Sequence, residues 1–141
     1  HAEMFVGSLL DYPSQAGSFD LIIMHHVIEH MADPEANLTQ LKKLLAPGGW
    51  LILATPDFDS GGARRFGANY RLLHDPTHVS LFSSDSMHRM LRDYGFHIRR
   101  VEYPFFETGY FTEASLLRLF DTNAVSPPFY GNFMTFYCQK Q

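Results

Sequence analysis

The chain has 141 residues, a formal net charge of -4 with its histidines neutral, and a hydrophobic content of 45%, the composition of one ordinary globular domain with one core. The acidic balance and the lack of any Lys/Arg run longer than a pair argue against a nucleic-acid backbone as main partner, and the lone Cys138 excludes an internal disulfide or a multi-thiolate metal site. No apolar stretch approaches the ~20 residues of a membrane span and no signal-peptide pattern is read, so the expected location is cytoplasmic.

The first residue is His1 rather than Met, which suggests a tag remnant or a piece of something longer. Residues 2–7 predict a short strand, and 9–13 a loop with Asp11 just past the strand end. Residues 14–18 are small and polar, a linker. The stretch from Phe19 to Pro56 organises the rest. Residues 19–24 form a nearly continuous apolar run, the pattern of a strand buried on both faces. Asp33 and Pro34 mark a helix start, as N-cap and first helical residue. Leu38, Leu41, Leu44 and Leu45 share one helical face, and Pro47-Gly48-Gly49 predicts its end. Residues 50–54 are a second apolar run, completing a right-handed βαβ unit. In open α/β sheets ligands bind beyond the carboxyl ends of the strands. That rule points to His25, His26, Glu29 and His30 after the first strand and to residues 55–59 after the second.

Residues 57–80 show no sustained period, and their length, glycines and aromatics predict a lid over a site. A helix follows Ser83, with Phe82 and Met87 as a hydrophobic staple, and Gly95 ends it. Residues 96–106 predict a strand with a bulge near Arg99-Arg100. Thr112 caps a helix carrying Leu116, Leu117 and Phe120, and 125–131 form a Pro-rich connection. Residues 132–139 close the chain as a strand apolar on both faces, hence a central one.

In their order, several stretches resemble the class I S-adenosylmethionine-dependent methyltransferases of the small-molecule type. They are residues 7–13 (GSLLDYP), 19–22 (FDLI) with Glu29-His30 and Asp33-Pro34, and 44–49 (LLAPGG) with Leu51-Ile52. His78, Phe82-Ser83 and Leu91 to Gly95-Phe96 complete the set. The resemblance implies an α/β fold, a Rossmann-like methyltransferase sheet that is mostly parallel, with an antiparallel last strand inserted between two others (order 3-2-1-4-5-7-6). The family's Gly-rich cofactor turn and ribose-holding acidic residue have no counterpart here. The expectation is therefore an N-terminally truncated C-terminal part of a single methyltransferase domain, inactive by itself and binding S-adenosyl-L-methionine weakly or not at all. Its first strand would lie apart from the rest.

The resemblance also assigns roles. Asp11, with Leu10, occupies the place of the carboxylate that accepts from the adenine amino group, and His25 and His26 line the cofactor's sulfonium end. His74 and His78 stand where similar enzymes face the substrate, and a histidine titrating near ~6.5 suits a general base. The partner implied is a small-molecule acceptor, and an open sheet edge along 19–24 would favour a homo-oligomer.

The residues themselves also admit plainer roles. Asp11 can close an Asx turn, Arg64 and Arg65 suit a solvated face as well as an anion clamp, and Glu29-His30 can simply join the strand end to the next helix. His26-Val27-Ile28-Glu29-His30 fits H-x-x-E-H, a zinc-peptidase signature that requires both histidines on one helical face. Its place after a strand and the lack of an obvious third ligand speak against it, so no metal ligands are assigned. A non-catalytic, methyltransferase-like interaction module is the remaining alternative.

Overall fold

The computed structural model describes residues 4–13, 15–104, 112–128 and 132–141. Among them, four strands form one sheet in the order β1-β2-β4-β3, with β1 at Phe19–His25, β2 at Leu45–Pro56, β3 at Phe96–Glu102 and β4 at Phe133–Lys140. β1 and β2 pair parallel, and β4 runs antiparallel to both β2 and β3. The last strand is thus inserted between two others, as its two apolar faces predict. The Rossmann-like expectation holds for the four strands present.

The β1-α1-β2 unit follows its local signals. α1 spans Pro34–Leu44, with the Asp33 carboxylate accepting from the Ala36 amide at 2.9 Å. The helix ends earlier than the Pro-Gly-Gly signal predicts. Leu45 is already extended and opens β2, which carries Pro47, Gly48 and Gly49 within it. Proline disfavours helical backbone in the residue before it, so the chain leaves the helix before reaching the glycines. Gly48 sits at φ 73°, a conformation that suits glycine.

Leu38 and Leu41 of α1 and Met87 and Leu91 of α3 (Ser84–Asp93) pack on one sheet face. That face presents Met24, Leu51, Leu53, Met134, Phe136 and Cys138. Burial pushes the Cys138 thiol up to about 12, leaving it an apolar core residue rather than a nucleophile. The opposite face differs from expectation. Leu21 is 47% and Ile23 62% exposed, so β1 is not buried on both sides. A parallel strand needs a layer on each face, and among the described residues nothing covers these two.

α3 begins with a capping box: the Ser83 hydroxyl accepts from the Ser86 amide at 3.1 Å, and the Ser86 hydroxyl from the Ser83 amide at 2.9 Å. The staple residues Phe82 and Met87 are both buried beneath it. Ser83→Ala is expected to cost about 1 kcal/mol, read as a lowered urea midpoint with unchanged slope. Gly95, at φ 78°, follows the helix, and the bulge in β3 falls between Ile98 and Arg100.

Two sequence expectations change. Residues 4–7 form no strand and lie exposed, because no neighbouring strand among the described residues offers them backbone partners; residues 2 and 3 lie outside the described set. Residues 57–80 are not a bare loop. They contain α2 (Gly61–Phe66) and 3-10 turns at Gly67–Asn69 and Arg71–His74. Phe66, Tyr70 and Leu72 form a second small core. Hydrogen bonds from Arg65 to the Leu119 carbonyl and from Asn69 to the Thr122 carbonyl tie this segment down. Beyond it, α4 covers Glu113–Leu117 with Thr112 as N-cap. The expected strand residues 105 and 106 lie outside the described set.

Candidate functional site

The site grows from the carboxyl end of β1. His26 leaves the strand with φ 54°, the sole non-glycine positive φ among the described residues. Such backbone is strained in a residue with a Cβ and tends to persist where surroundings over-determine it. Here the His26 amide donates to the Ala54 carbonyl at 2.9 Å. Its ring packs edge-on against His25 and Phe133, with centroids 4.4 and 4.6 Å away. The turn aims Nδ1 at Glu29 Oε1, 3.1 Å away.

Glu29 lies in a 3-10 turn, Ile28–His30, and is fully buried. Its second oxygen accepts from the Thr55 hydroxyl at 3.0 Å, at the end of β2. Burial by itself would raise this carboxyl. Hydrogen bonds from His26, backbone and Thr55 outweigh it and hold the group below its ordinary value. The carboxylate thus joins the ends of two adjacent strands, a structural role different from the link between strand end and next helix that the sequence suggested.

The zinc-peptidase reading fails on this geometry. Residues 19–25 are strand and only 28–30 turn helically, so His26 and His30 do not share a helical face. His26 turns to Glu29, and His30 turns elsewhere: its Nδ1 donates to the Thr77 carbonyl at 3.0 Å. The Val79 and Ser80 amides both donate to the Glu29 carbonyl, placing His78 beside His30 with ring centroids 4.9 Å apart.

His78 is nearly buried, and its Nδ1 donates to the Leu72 carbonyl at 2.7 Å. His74 is exposed, with Nε2 3.0 Å from the Ala68 carbonyl. Arg64 pairs with Asp59 on the surface at 2.6 Å. Leu10 and Asp11 belong to a 3-10 turn, Leu9–Asp11, capped by Ser8 and packed near α1. Both side chains are exposed, and the Asp11 carboxylate has no hydrogen-bond donor among the described residues. Beside them Leu9, Tyr12, Phe19, Ile22 and Leu41 line an apolar groove. A free carboxylate acceptor near an apolar groove fits the adenine end of a nucleoside, and the strand-end histidines fit a polar tail.

Residues 5–101 match a family described as methyltransferase domain. The chain belongs to this family. Among solved structures, a methyltransferase of Thermotoga maritima, titled a possible histamine N-methyltransferase, superposes with TM-score 0.71 at 22% identity. That alignment covers 96% of this chain and 62% of that one. A putative methyltransferase of Bacillus halodurans gives TM-score 0.68 at 16% identity, covering 95% and 75%. At these identities the likeness is one of fold, the class I methyltransferase architecture. A ubiquinone biosynthesis O-methyltransferase of a Caulobacter strain is 52% identical over 40 residues, 28% of this chain and 16% of that protein. The chain therefore spans about three fifths of the Thermotoga structure, and its matches to curated relatives cover under a fifth of their lengths.

Within the methyltransferase domain, the strand-end rule placed Thr55 at the corner, but sequence reasoning missed its bond to Glu29 and missed Phe133 altogether. They reach the corner from β2 and β4, and no spacing rule links them to position 26 or 29. No helix among the described residues is long and apolar enough to cross a membrane.

Proposed function

We propose that this domain takes part in methyl transfer from S-adenosyl-L-methionine to a small-molecule acceptor. The match of residues 5–101 to the methyltransferase-domain family carries the reading. The β1-β2-β4-β3 order, with polar groups gathered at the carboxyl end of β1, supports it. When bound, the cofactor supplies an electrophilic methyl group on a sulfonium. The chain's own residues bind, orient and keep out water, the main tasks in a displacement of this kind.

Asp11 accepts from the adenine amino group, with Leu10 against the base. His25 and His26 stand at the amino-acid and sulfonium end. Glu29 and Thr55 hold the His26 ring in one orientation. His74 and His78 are the candidates for the substrate side. His78 holds its Nδ1 proton on the Leu72 carbonyl, which leaves Nε2 as the nitrogen able to accept a proton. The O-methyltransferase name of several relatives favours a hydroxyl acceptor, and the aromatic content of the chain favours an aromatic one.

Calorimetry of the full-length protein with S-adenosylmethionine tests the reading. Asp11→Ala is expected to weaken binding about 10- to 150-fold, the loss of one hydrogen bond to a charged acceptor. No measurable affinity of the unaltered protein for the cofactor would defeat the proposal in favour of a non-catalytic interaction module.

A further inference from the structure

The H-x-x-E-H motif fails as a helical zinc signature, yet half of it meets a third group. Glu29, His30 and His78 each bring a ligand-type atom within 4.8 Å of the other two. His78 lies far along the chain and is delivered by the Val79 and Ser80 amides on the Glu29 carbonyl. No sequence spacing would have paired them.

The protonation pattern follows from the hydrogen bonds. His30 Nδ1 faces the Thr77 carbonyl at 3.0 Å, and His78 Nδ1 faces the Leu72 carbonyl at 2.7 Å. A carbonyl oxygen only accepts, so each Nδ1 carries the proton and each neutral ring keeps its Nε2 lone pair. Metal-bound histidines are held in this way, by a backbone carbonyl on the other ring nitrogen. Glu29 contributes a carboxylate that accepts from His26, Thr55 and backbone; of the about four lone-pair sites of a carboxylate, one is left for a metal. Neither His30 nor His78 forms an ion pair with Glu29, so no proton bridges the three groups. Asp75 Oδ2 stands 3.8 Å from His78 Nε2, a further oxygen at the rim.

We propose that Glu29, His30 and His78 form a divalent-metal site of the two-histidine, one-carboxylate class, taking Zn2+. Nitrogen and oxygen ligands at about 2.0–2.2 Å suit this ion, and three protein ligands leave a position open. Ligand atoms within 4.8 Å must close further to reach those bond lengths, which requires a small shift of the exposed His30 ring that keeps its Nδ1 on the Thr77 carbonyl. With Zn2+ on it, His78 Nε2 no longer accepts a proton, so the metal replaces the base role given to His78 above. The open position takes water or an oxygen atom of an acceptor; that last step rests on the methyl-transfer reading, whereas metal binding does not.

The test is calorimetry with zinc chloride on tag-free full-length protein stripped by chelator. One Zn2+ per chain at micromolar affinity or better is expected. His30→Ala and His78→Ala should each weaken it at least 30-fold, while His97→Ala, an exposed position on β3, leaves it unchanged. Glu29→Gln alters the strand-end corner together with the ligand, so the two histidine variants, checked by circular dichroism, carry the result. No saturable binding, or binding undiminished in both variants, overturns the site. Zinc binding without cofactor binding would retain the site and defeat the methyl-transfer reading, and the reverse result would do the opposite.

Discussion

Phe136→Ala is expected to lower unfolding stability by about 3–5 kcal/mol, the range for emptying a buried aromatic site. Phe136 lies on β4, a strand hydrogen-bonded on both sides, opposite Leu53 of β2 and Val101 of β3. It is fully buried, and the His88 ring of α3 packs edge-on against it with centroids 4.9 Å apart. Its neighbours belong to three other elements and cannot all collapse into the void. A domain of this size has about 5–15 kcal/mol in total, so the variant should approach the threshold of folding. Leu21→Ala, on the exposed face of β1, is the comparison and should stay within about 0.5 kcal/mol. Urea denaturation of both reads the difference, and equal losses would show that the outer face of β1 is covered in solution.

Glu29→Ala is expected to cost about 3 kcal/mol at neutral pH. Two donors lose their acceptor, and one of them, Thr55, is fully buried and left unsatisfied. The pH dependence gives an independent reading. The folded pKa of Glu29 lies below its ordinary value, so the unfolded chain binds the proton more tightly. The carboxylate therefore contributes stability above the unfolded pKa, and that contribution is lost as pH falls through the folded one. The unaltered protein should lose stability across this acid window, whereas Glu29→Gln should show a flatter profile there. Melting temperatures measured from neutral to acid pH distinguish the two. Parallel profiles would assign the acid loss to other carboxylates.

The local signals in the sequence proved dependable where one element decides the outcome. Asp33-Pro34 starts α1, Ser83 caps α3, and the break in alternation at Arg99-Arg100 is a bulge. Each depends on hydrogen bonds or sterics within a few residues. The insertion of β4 was legible because both its faces are apolar. What the sequence concealed depends on layers and on distant partners. The run 19–24 looks two-sided because its composition is apolar throughout, yet exposure is set by what packs upon it. Residues 57–80 lack a period because their helices are a turn or two long and answer to a small aromatic core, not to the main sheet. The corner around Glu29 was visible as a polar group after a strand. Its wiring to Thr55 and to the carbonyl-held His78 crosses the chain and has no signature in spacing.

The position of β4 also governs how the molecule is made. The β2–β4 pairing joins residues 45–56 to residues 133–140, and among the described residues β3 is attached to the sheet only through β4. On a ribosome, β1, α1 and β2 emerge early and can close their parallel pair, while β3 waits without a partner strand. The inner edge of β2 stays unpaired through the synthesis of some 75 further residues, an interval of several seconds at about 5–20 residues per second. During that time the nascent chain presents an apolar edge of the kind that chaperones hold and that aggregation exploits.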